Sequence, residues 1–213
     1  MRVLVVAAHP DDEVIGCGGT IARHVASGDK VFLLVATQIY APEWNMKEFD
    51  IRRKEVFKAA EVLGIKDVFF GGFPTAKLNT VPTISLTNKI SEVIKKVMPD
   101  ILYLPPKKDL NLDHVIVCNA SISSCKSLKY IKKVFSYEVP TAFSFENMEV
   151  NYYVNISRFF QKKIQAMRVY KSELRKYPHP RSVKGLKILG QVRGLIAGTE
   201  YAEAFMIIRE VVK

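Results

Sequence analysis

The sequence is poor in cysteine and in long apolar segments. Its three cysteines, Cys17, Cys118 and Cys125, are odd in number and form no Cys-x-x-Cys pair, so they indicate neither a disulfide framework nor a thiolate zinc site. No apolar run approaches the roughly 20 residues that a membrane-spanning helix needs. Arg2, directly before a strand-like segment, does not give the N-terminus the form of a secretory leader. These absences favour a reduced, cytoplasmic protein without a membrane span.

Acidic residues are also scarce relative to basic ones. The 213 residues contain 32 Lys and Arg against 21 Asp and Glu, a formal net charge of +11. A surplus of this size suits a protein that binds nucleic acid or an anionic glycan. The basic residues, however, are spread at spacings typical of solvated helix faces. We therefore expect a solvated basic surface without a nucleic-acid partner, and keep a basic binding module with an inactive crevice as the alternative.

Short β-branched runs alternate with longer segments of helical period along most of the chain. This alternation is typical of βαβ units around a mostly parallel sheet. We predict a single α/β domain over residues 1–213, with a Rossmann-like sheet and helices on both of its faces. The predicted strands are 2–8, 30–37, 68–70, 101–105, 134–139 and 152–156, and the predicted helices are 16–27, 50–63, 83–97, 114–126 and 157–175, followed by a final helix and strand.

A cluster of charged residues follows the first predicted strand directly. The segment 9–13 reads His-Pro-Asp-Asp-Glu, and in open α/β sheets ligands bind outside the carboxyl ends of the strands. An imidazole and a carboxylate three residues apart, in a turn whose φ is fixed by Pro10, can converge on one cation. This pair of ligand types suits zinc. His9 and Asp12 therefore indicate a metal site.

The glycines that follow, Gly16, Gly18 and Gly19, raise a second interpretation, a dinucleotide-binding loop. The third glycine of a Gly-x-Gly-x-x-Gly loop would fall at Ile21, and Thr37-Gln38 stands where an acid would hold the ribose. The three acids of segment 9–13 would also repel a phosphate. A metal site is therefore favoured over a nucleotide site.

A catalytic zinc needs a third protein ligand beside an open position, and only four histidines are available. His114 follows the fourth predicted strand, with Asp109 and Asp113 close enough in sequence to orient its ring. His24 lies in the middle of a predicted helix and is interpreted as structural. His179, in a loop flanked by prolines, suits a surface position and the mouth of the site equally well.

These segments together resemble the PIG-L/LmbE-like N-acetylglucosaminyl deacetylases. The resemblance rests on HPDDE at 9–13, on the later Asp-His at 113–114, and on Arg-x-x-Glu followed by AA-x-x-LG at 52–64. It extends to FSYEVP at 135–140, PHPRS at 178–182 and RG…YAEAF at 193–205, which are similar to a bacterial or archaeal branch of the family. It covers most of the chain.

The resemblance implies one Zn²⁺ per chain, held by His9, Asp12 and His114, with Asp11 as the general base. It implies an N-acetylated sugar or sugar conjugate as substrate, hydrolysed to acetate and a free amino sugar. Arg52 is similar to the family arginine that holds substrate hydroxyls, and its alternative role is that of a helix-surface partner of Glu55.

Many members of the family carry a histidine three residues before the ligand histidine, where it stabilises the oxyanion. Here that position is Asn111, whose amide can donate a hydrogen bond. His179 is the other candidate donor, and Arg181 in the same loop is a candidate substrate-binding residue. The choice between the two donors stays open, as do the acceptor sugar, hydrolysis of a non-sugar amide, and a homo-oligomeric state.

Overall fold

The computed structural model describes residues 1–125, 128–140 and 149–212. These residues form seven strands, six helices and one 3₁₀ turn, Leu78–Thr80. The strands are β1 (Arg2–Ala7), β2 (Lys30–Gln38), β3 (Asp67–Pro74), β4 (Ile101–Leu104), β5 (Lys133–Tyr137), β6 (Tyr152–Asn155) and β7 (Ala202–Glu210). The helices are α1 (Asp12–Ala26), α2 (Lys47–Leu63), α3 (Thr83–Val97), α4 (Leu112–Cys125), α5 (Phe160–Val169) and α6 (Val183–Ala197).

All seven strands belong to one sheet, in the order β3-β2-β1-β4-β5-β7-β6. The strands from β3 to β5 are parallel, whereas β7 is antiparallel to both of its neighbours. Helices α1, α2, α5 and α6 pack on one face of the sheet, and α3 and α4 cover the other. The central strands are buried on both faces, which explains their nearly continuous apolar sequences. The predicted α/β class, with a mostly parallel sheet between helices, is confirmed.

One helix of the C-terminal third departs from its predicted bounds. The helix predicted over 157–175 ends at Val169, and the chain then turns through residues 170–182. Tertiary contacts hold this segment: the Tyr170 hydroxyl donates to Glu13 Oε1 at 2.6 Å, and the Ser172 hydroxyl donates to Glu55 Oε2 at 2.6 Å. Helical periodicity carries no information about such contacts, so the prediction extended the helix too far. Residue 126, the predicted end of the fourth helix, lies outside the described residues.

The glycines after segment 9–13 allow close packing of α1. A Cβ atom on Gly16 would overlap the ring of Tyr137, and a Cβ atom on Gly19 would lie 2.7 Å from Ile156. A side chain at either position would therefore push α1 away from the sheet or from the segment that precedes α5. Packing explains these glycines without a bound phosphate.

Helix α1 is broken at Cys17, where φ is −144° and ψ is 22°. A continuous helix would bond the amides of Gly19 and Thr20 to carbonyls four residues earlier, but here they donate to the Glu203 carboxylate at 2.9 and 2.7 Å. Lys163 Nζ donates both to Glu203 Oε1 and to the carbonyl of Ile15, each at 2.7 Å. A buried ion pair thus replaces the hydrogen bonds lost at the break, just beyond the turn that carries the candidate metal ligands His9 and Asp12.

Candidate metal centre and active-site cavity

The candidate site lies at the carboxyl end of the sheet, where the segments after β1 and β4 meet. These two strands are parallel neighbours, so residues that follow them come together although they are about 100 positions apart. The first segment carries His9, Asp11 and Asp12, and the second carries Asp109 and His114. His24 lies elsewhere, bonded to Asp29 and to the Tyr103 hydroxyl.

Three donor groups face one another at this junction: His9 Nδ1, His114 Nε2 and the Asp12 carboxylate. The two ring nitrogens are 3.3 Å apart, His114 Nε2 is 3.3 Å from Asp12 Oδ1, and His9 Nδ1 is 3.5 Å from Asp12 Oδ2. Ligands held at about 2.0–2.1 Å around a tetrahedral zinc are themselves separated by about 3.3 Å. The separations and the donor types both fit such an ion, with three protein ligands and one open position.

Each histidine of this triangle is oriented by a carboxylate on its other ring nitrogen. Asp109 Oδ2 lies 2.8 Å from His114 Nδ1, and Asp113 Oδ2 lies 3.0 Å from His9 Nε2. In a metal site, such partners fix the ring tautomer so that the inner nitrogen offers its lone pair to the ion. Both acids were expected beside His114, but consecutive residues on a helix do not face the same way. Asp113 therefore contacts His9, while the amide of Ala76 donates to it at 2.6 Å.

The electrostatic field in the triangle favours positive charge. Burial alone would lower the pKa of His9, but hydrogen bonds to Asp113 and Asp12 outweigh burial and raise it to about 9. Burial is likewise outweighed at His114, where the charge of Asp12 and the bond to Asp109 raise the pKa to about 10. Burial would raise the pKa of Asp12, yet the two imidazoles hold it well below its usual range. The same field would stabilise a metal cation at this position.

Asp11 adjoins the triangle in a strained conformation. It precedes α1 with φ of 97° and ψ of −26°, in a region that few non-glycine residues adopt and that Asp and Asn tolerate best. Backbone strain of this kind costs on the order of 1–3 kcal/mol and is often found at functional sites. Burial and the adjacent charge of Asp12 raise the pKa of Asp11 well above its usual range, while Arg181, 3.3 Å away, opposes them.

Two of the candidate substrate-binding residues are joined by a carboxylate that sequence analysis missed. Glu173 is buried, and it accepts hydrogen bonds from Arg52 Nη1 and, at 3.0 Å, from Arg181 Nη1. Arg52 also lies 3.4 Å from Glu48. Its carboxylate partners are therefore Glu173 and Glu48, and not Glu55, which helical spacing had made a candidate. Glu173 was missed because the predicted helix over 157–175 made it one more charge on a helix surface.

Both candidate oxyanion donors line the same cavity as the triangle. The side-chain oxygen of Asn111 accepts from the amide of Asp113 at 3.1 Å, so the amide nitrogen is the group left to donate. Nδ1 of His179 accepts from the amide of Arg181 at 3.0 Å, and the proton of the neutral ring is therefore on Nε2. Each residue keeps an N–H donor outside these contacts.

The cavity encloses about 490 Å³, within the range of small-molecule sites. Its lining is mixed in chemistry. The metal triangle, the arginine pair and the two oxyanion candidates are polar, and the apolar lining includes Ile39, Trp44, Phe49, Val56 and Phe70.

A His-Asp-His donor set beside a further carboxylate, at the carboxyl edge of a parallel sheet, is the arrangement of a metal-dependent hydrolase. Residues 4–125, more than half of the chain, match the family described as "PIG-L: GlcNAc-PI de-N-acetylase". The chain belongs to the PIG-L family, and the resemblance seen in the sequence is confirmed.

Three known proteins show how widely this fold is used. The diacetylchitobiose deacetylase of Thermococcus kodakarensis is 26% identical over 97% of this chain and 83% of its own length. The crystal structure of the conserved protein TT1542 from Thermus thermophilus is 27% identical, with a TM-score of 0.79 over 99% of this chain and 96% of that one. GalB, the 4-carboxy-2-hydroxymuconate hydratase of Pseudomonas putida, shares the fold at 20% identity, with a TM-score of 0.81 over 100% and 98% of the chains. Because a hydratase shares the fold, the reaction has to be argued from the site.

No helix among the residues that the structure describes is long and apolar enough to cross a membrane.

Proposed function

We propose that this protein is a zinc-dependent deacetylase that hydrolyses the acetamide of an N-acetylated sugar or sugar conjugate. The observation that carries the proposal is the triangle of His9, Asp12 and His114 with the Asp11 carboxylate beside it. The family of the chain and the activity named for its Thermococcus relative support an N-acetyl sugar as the substrate. The proposed unit is one domain over residues 1–213 that binds one Zn²⁺, and the buried free cysteines suit a cytoplasmic setting.

A zinc ion held by the triangle would polarise the acetyl carbonyl and lower the pKa of the attacking water. Asp11 accepts the proton that this water loses and delivers it to the sugar nitrogen as the C–N bond breaks. The new C–O bond leaves acetate, and the protonated nitrogen leaves as the free amino sugar. Arg181 holds the Asp11 carboxylate, while Asp109 and Asp113 keep the two imidazole rings oriented.

The remaining site residues orient the sugar and the developing oxyanion. Arg52 and Arg181, both fixed by Glu173, donate to sugar hydroxyls. Asn111 or His179 donates to the acetyl oxygen as negative charge develops on it, a contact that typically contributes about 10²–10³ in kcat.

The experiment that tests this function is acetate release from a panel of N-acetyl compounds by the zinc-loaded protein. The panel contains N-acetylglucosamine, diacetylchitobiose, a nucleotide-linked N-acetyl sugar and an N-acetyl amino acid. We expect acetate from at least one sugar, and we expect the Asp11→Asn protein to lose turnover while keeping its metal. Acetate from the amino acid alone would reassign the enzyme to a non-sugar amide, and acetate from no compound would contradict the proposal.

The basic binding module makes a different prediction in salt. Affinity for nucleic acid falls steeply between about 50 and 200 mM salt because counterions are released on binding. Hydrolysis of a neutral N-acetyl sugar is expected to change little over the same range.

A further inference from the structure

We infer that Trp44 is the surface on which a carbohydrate ring of the substrate stacks, and that it therefore sets the strength of sugar binding in this cavity. The inference rests on the proposed deacetylase function, whose site shares the cavity. Trp44 is the only tryptophan of the chain, and it was not among the residues that the sequence analysis assigned to the site.

Core packing does not account for Trp44. The indole lines the cavity and is half-buried, yet it belongs to neither of the two apolar cores that cover the faces of the sheet. Phe49, which also lines the cavity, is outside both cores as well. Large aromatic side chains dominate the energetics of cores and binding sites because of the area that they bury. Trp44 and Phe49 present that area to the cavity.

Contacts within the loop after β2 hold Trp44 in place before any ligand binds. Its amide donates to the carbonyl of Tyr40 at 3.0 Å, and the two rings lie 5.2 Å apart at an angle of 59°. Lys77 Nζ lies 5.1 Å from the centre of the Tyr40 ring and 3.3 Å from Glu43 Oε1. A side chain that is already ordered loses little conformational entropy when a ligand binds. The loop after β2 therefore offers a preorganised aromatic surface.

The lining of the cavity combines apolar and polar groups. A pyranose ring has an apolar face of C–H groups and an edge of hydroxyl groups. Trp44 and Phe49 suit the face, and Arg52 and Arg181, which line the same cavity, suit the edge. A purely apolar ligand would remove those polar groups from water without replacing their hydrogen bonds, which is costly. A sugar ring satisfies both kinds of group at once.

Trp44 and the triangle lie on neighbouring segments of the chain. The triangle is at the ends of β1 and β4, whereas Trp44 is in the loop that follows β2, the strand beside β1. Both line one cavity of about 490 Å³. An acetamide at the triangle and a ring against the indole therefore share that cavity.

The test is direct because Trp44 is the only tryptophan, so all indole emission comes from this side chain. Zinc-loaded Asp11→Asn protein is titrated with N-acetylglucosamine, with diacetylchitobiose and with acetamide, which has no ring. We expect a saturable change in Trp44 emission with a sugar and none with acetamide. A change with the monosaccharide assigns the acetylated ring to the indole, and a change with the disaccharide alone assigns the linked ring. Unchanged emission at saturating sugar would overturn the inference.

A kinetic experiment provides the second readout. Trp44→Ala is expected to raise KM for the hydrolysed sugar roughly 3- to 10-fold with kcat little changed, the effect of losing one aromatic contact, and Trp44→Phe is expected to recover part of the loss. Leu195→Ala is the matched control, because Leu195 is 83% exposed and outside the cavity. Normal KM for Trp44→Ala in an active enzyme would overturn the inference and leave the deacetylase function standing. Absence of activity on every sugar would remove the proposed function, while the emission titration would still report whether sugar binds.

Discussion

Removing one partner of the buried ion pair at the break in α1 is expected to destabilise the protein strongly. The side chains of Lys163 and Glu203 are only 5% and 3% exposed, and their charged atoms are 2.7 Å apart. Lys163→Met would leave the Glu203 carboxylate buried with two amide donors and no counter-charge, and would leave the carbonyl of Ile15 without its ammonium donor. Breaking a buried pair in this way typically costs about 3–5 kcal/mol.

The expected loss corresponds to a large thermal shift. For a chain of about 150–250 residues, each kcal/mol lowers Tm by about 2–4 °C, so Lys163→Met should melt roughly 6–20 °C below the wild type. Urea unfolding followed by circular dichroism gives the free energy directly, with an unchanged m-value as the check that the unfolded state is comparable.

Two further variants separate the ion pair from the loss of a long side chain. In Lys163→Met/Glu203→Gln both charges are gone and the side-chain amide oxygen introduced at position 203 still accepts from one of the two α1 amides, so part of the stability should return, with a coupling of about 0.5–3 kcal/mol. Lys108→Met is the matched control, because Lys108 and its partner Glu149 are 68% and 82% exposed and such pairs contribute under about 1 kcal/mol. A loss below about 1 kcal/mol in the buried variant would refute the reasoning.

The other predictions concern the site. Asp11→Asn should keep the metal and the left-handed backbone and lose about 10²–10⁴ in kcat, measured by acetate release at known zinc content; near-normal turnover would assign the base to another residue. Of Asn111→Ala and His179→Ala, the variant that removes the oxyanion donor should lose about 10²–10³ in kcat with metal retained, and small effects in both would mean that neither acts. If His179 is the donor, wild-type kcat should fall as the pH drops below 6.5 and this fall should be absent from the variant, because burial and two arginines lower the pKa of His179 and a protonated ring loses the Nδ1 contact that orients it. Glu173→Gln should raise KM as the arginines lose their shared carboxylate, whereas Glu48→Gln, at the exposed partner, should not; equal KM values would exclude the positioning role.

The first two thirds of the fold could be predicted because periodicity and strand ends carry the information. β1 to β5 are short apolar runs separated by helical segments, and the parallel arrangement follows from that alternation. The charged segment 9–13 was correctly expected at a strand end. His114 was favoured because it follows a strand end, and the resemblance implied the full ligand set. That β1 and β4 are neighbours, which brings His114 to His9 and Asp12, was not predicted.

Residues whose role depends on tertiary contacts could not be predicted. Glu173 follows α5 in a turn that is fixed by bonds to α1 and α2, and nothing local in the sequence marks where that helix ends. Asp109 and Asp113 both lie close to His114 in sequence, and only the direction of each side chain, before and at the start of α4, assigns them to different histidines. One feature of the sequence could have pointed to Trp44: it is the only tryptophan of the chain, and it lies in a loop after a predicted strand.

The central claim is that His9, Asp12 and His114 hold the one metal ion on which deacetylation depends. The most direct measurement is a zinc titration of chelator-stripped protein in which bound metal and acetate release are recorded on the same samples. We predict that both rise together to a break at one zinc per chain, and that His114→Ala shows neither, while His24→Ala, at a histidine outside the cluster, matches the wild type. Full acetate release from stripped protein, or one tightly bound zinc in His114→Ala, would contradict the account.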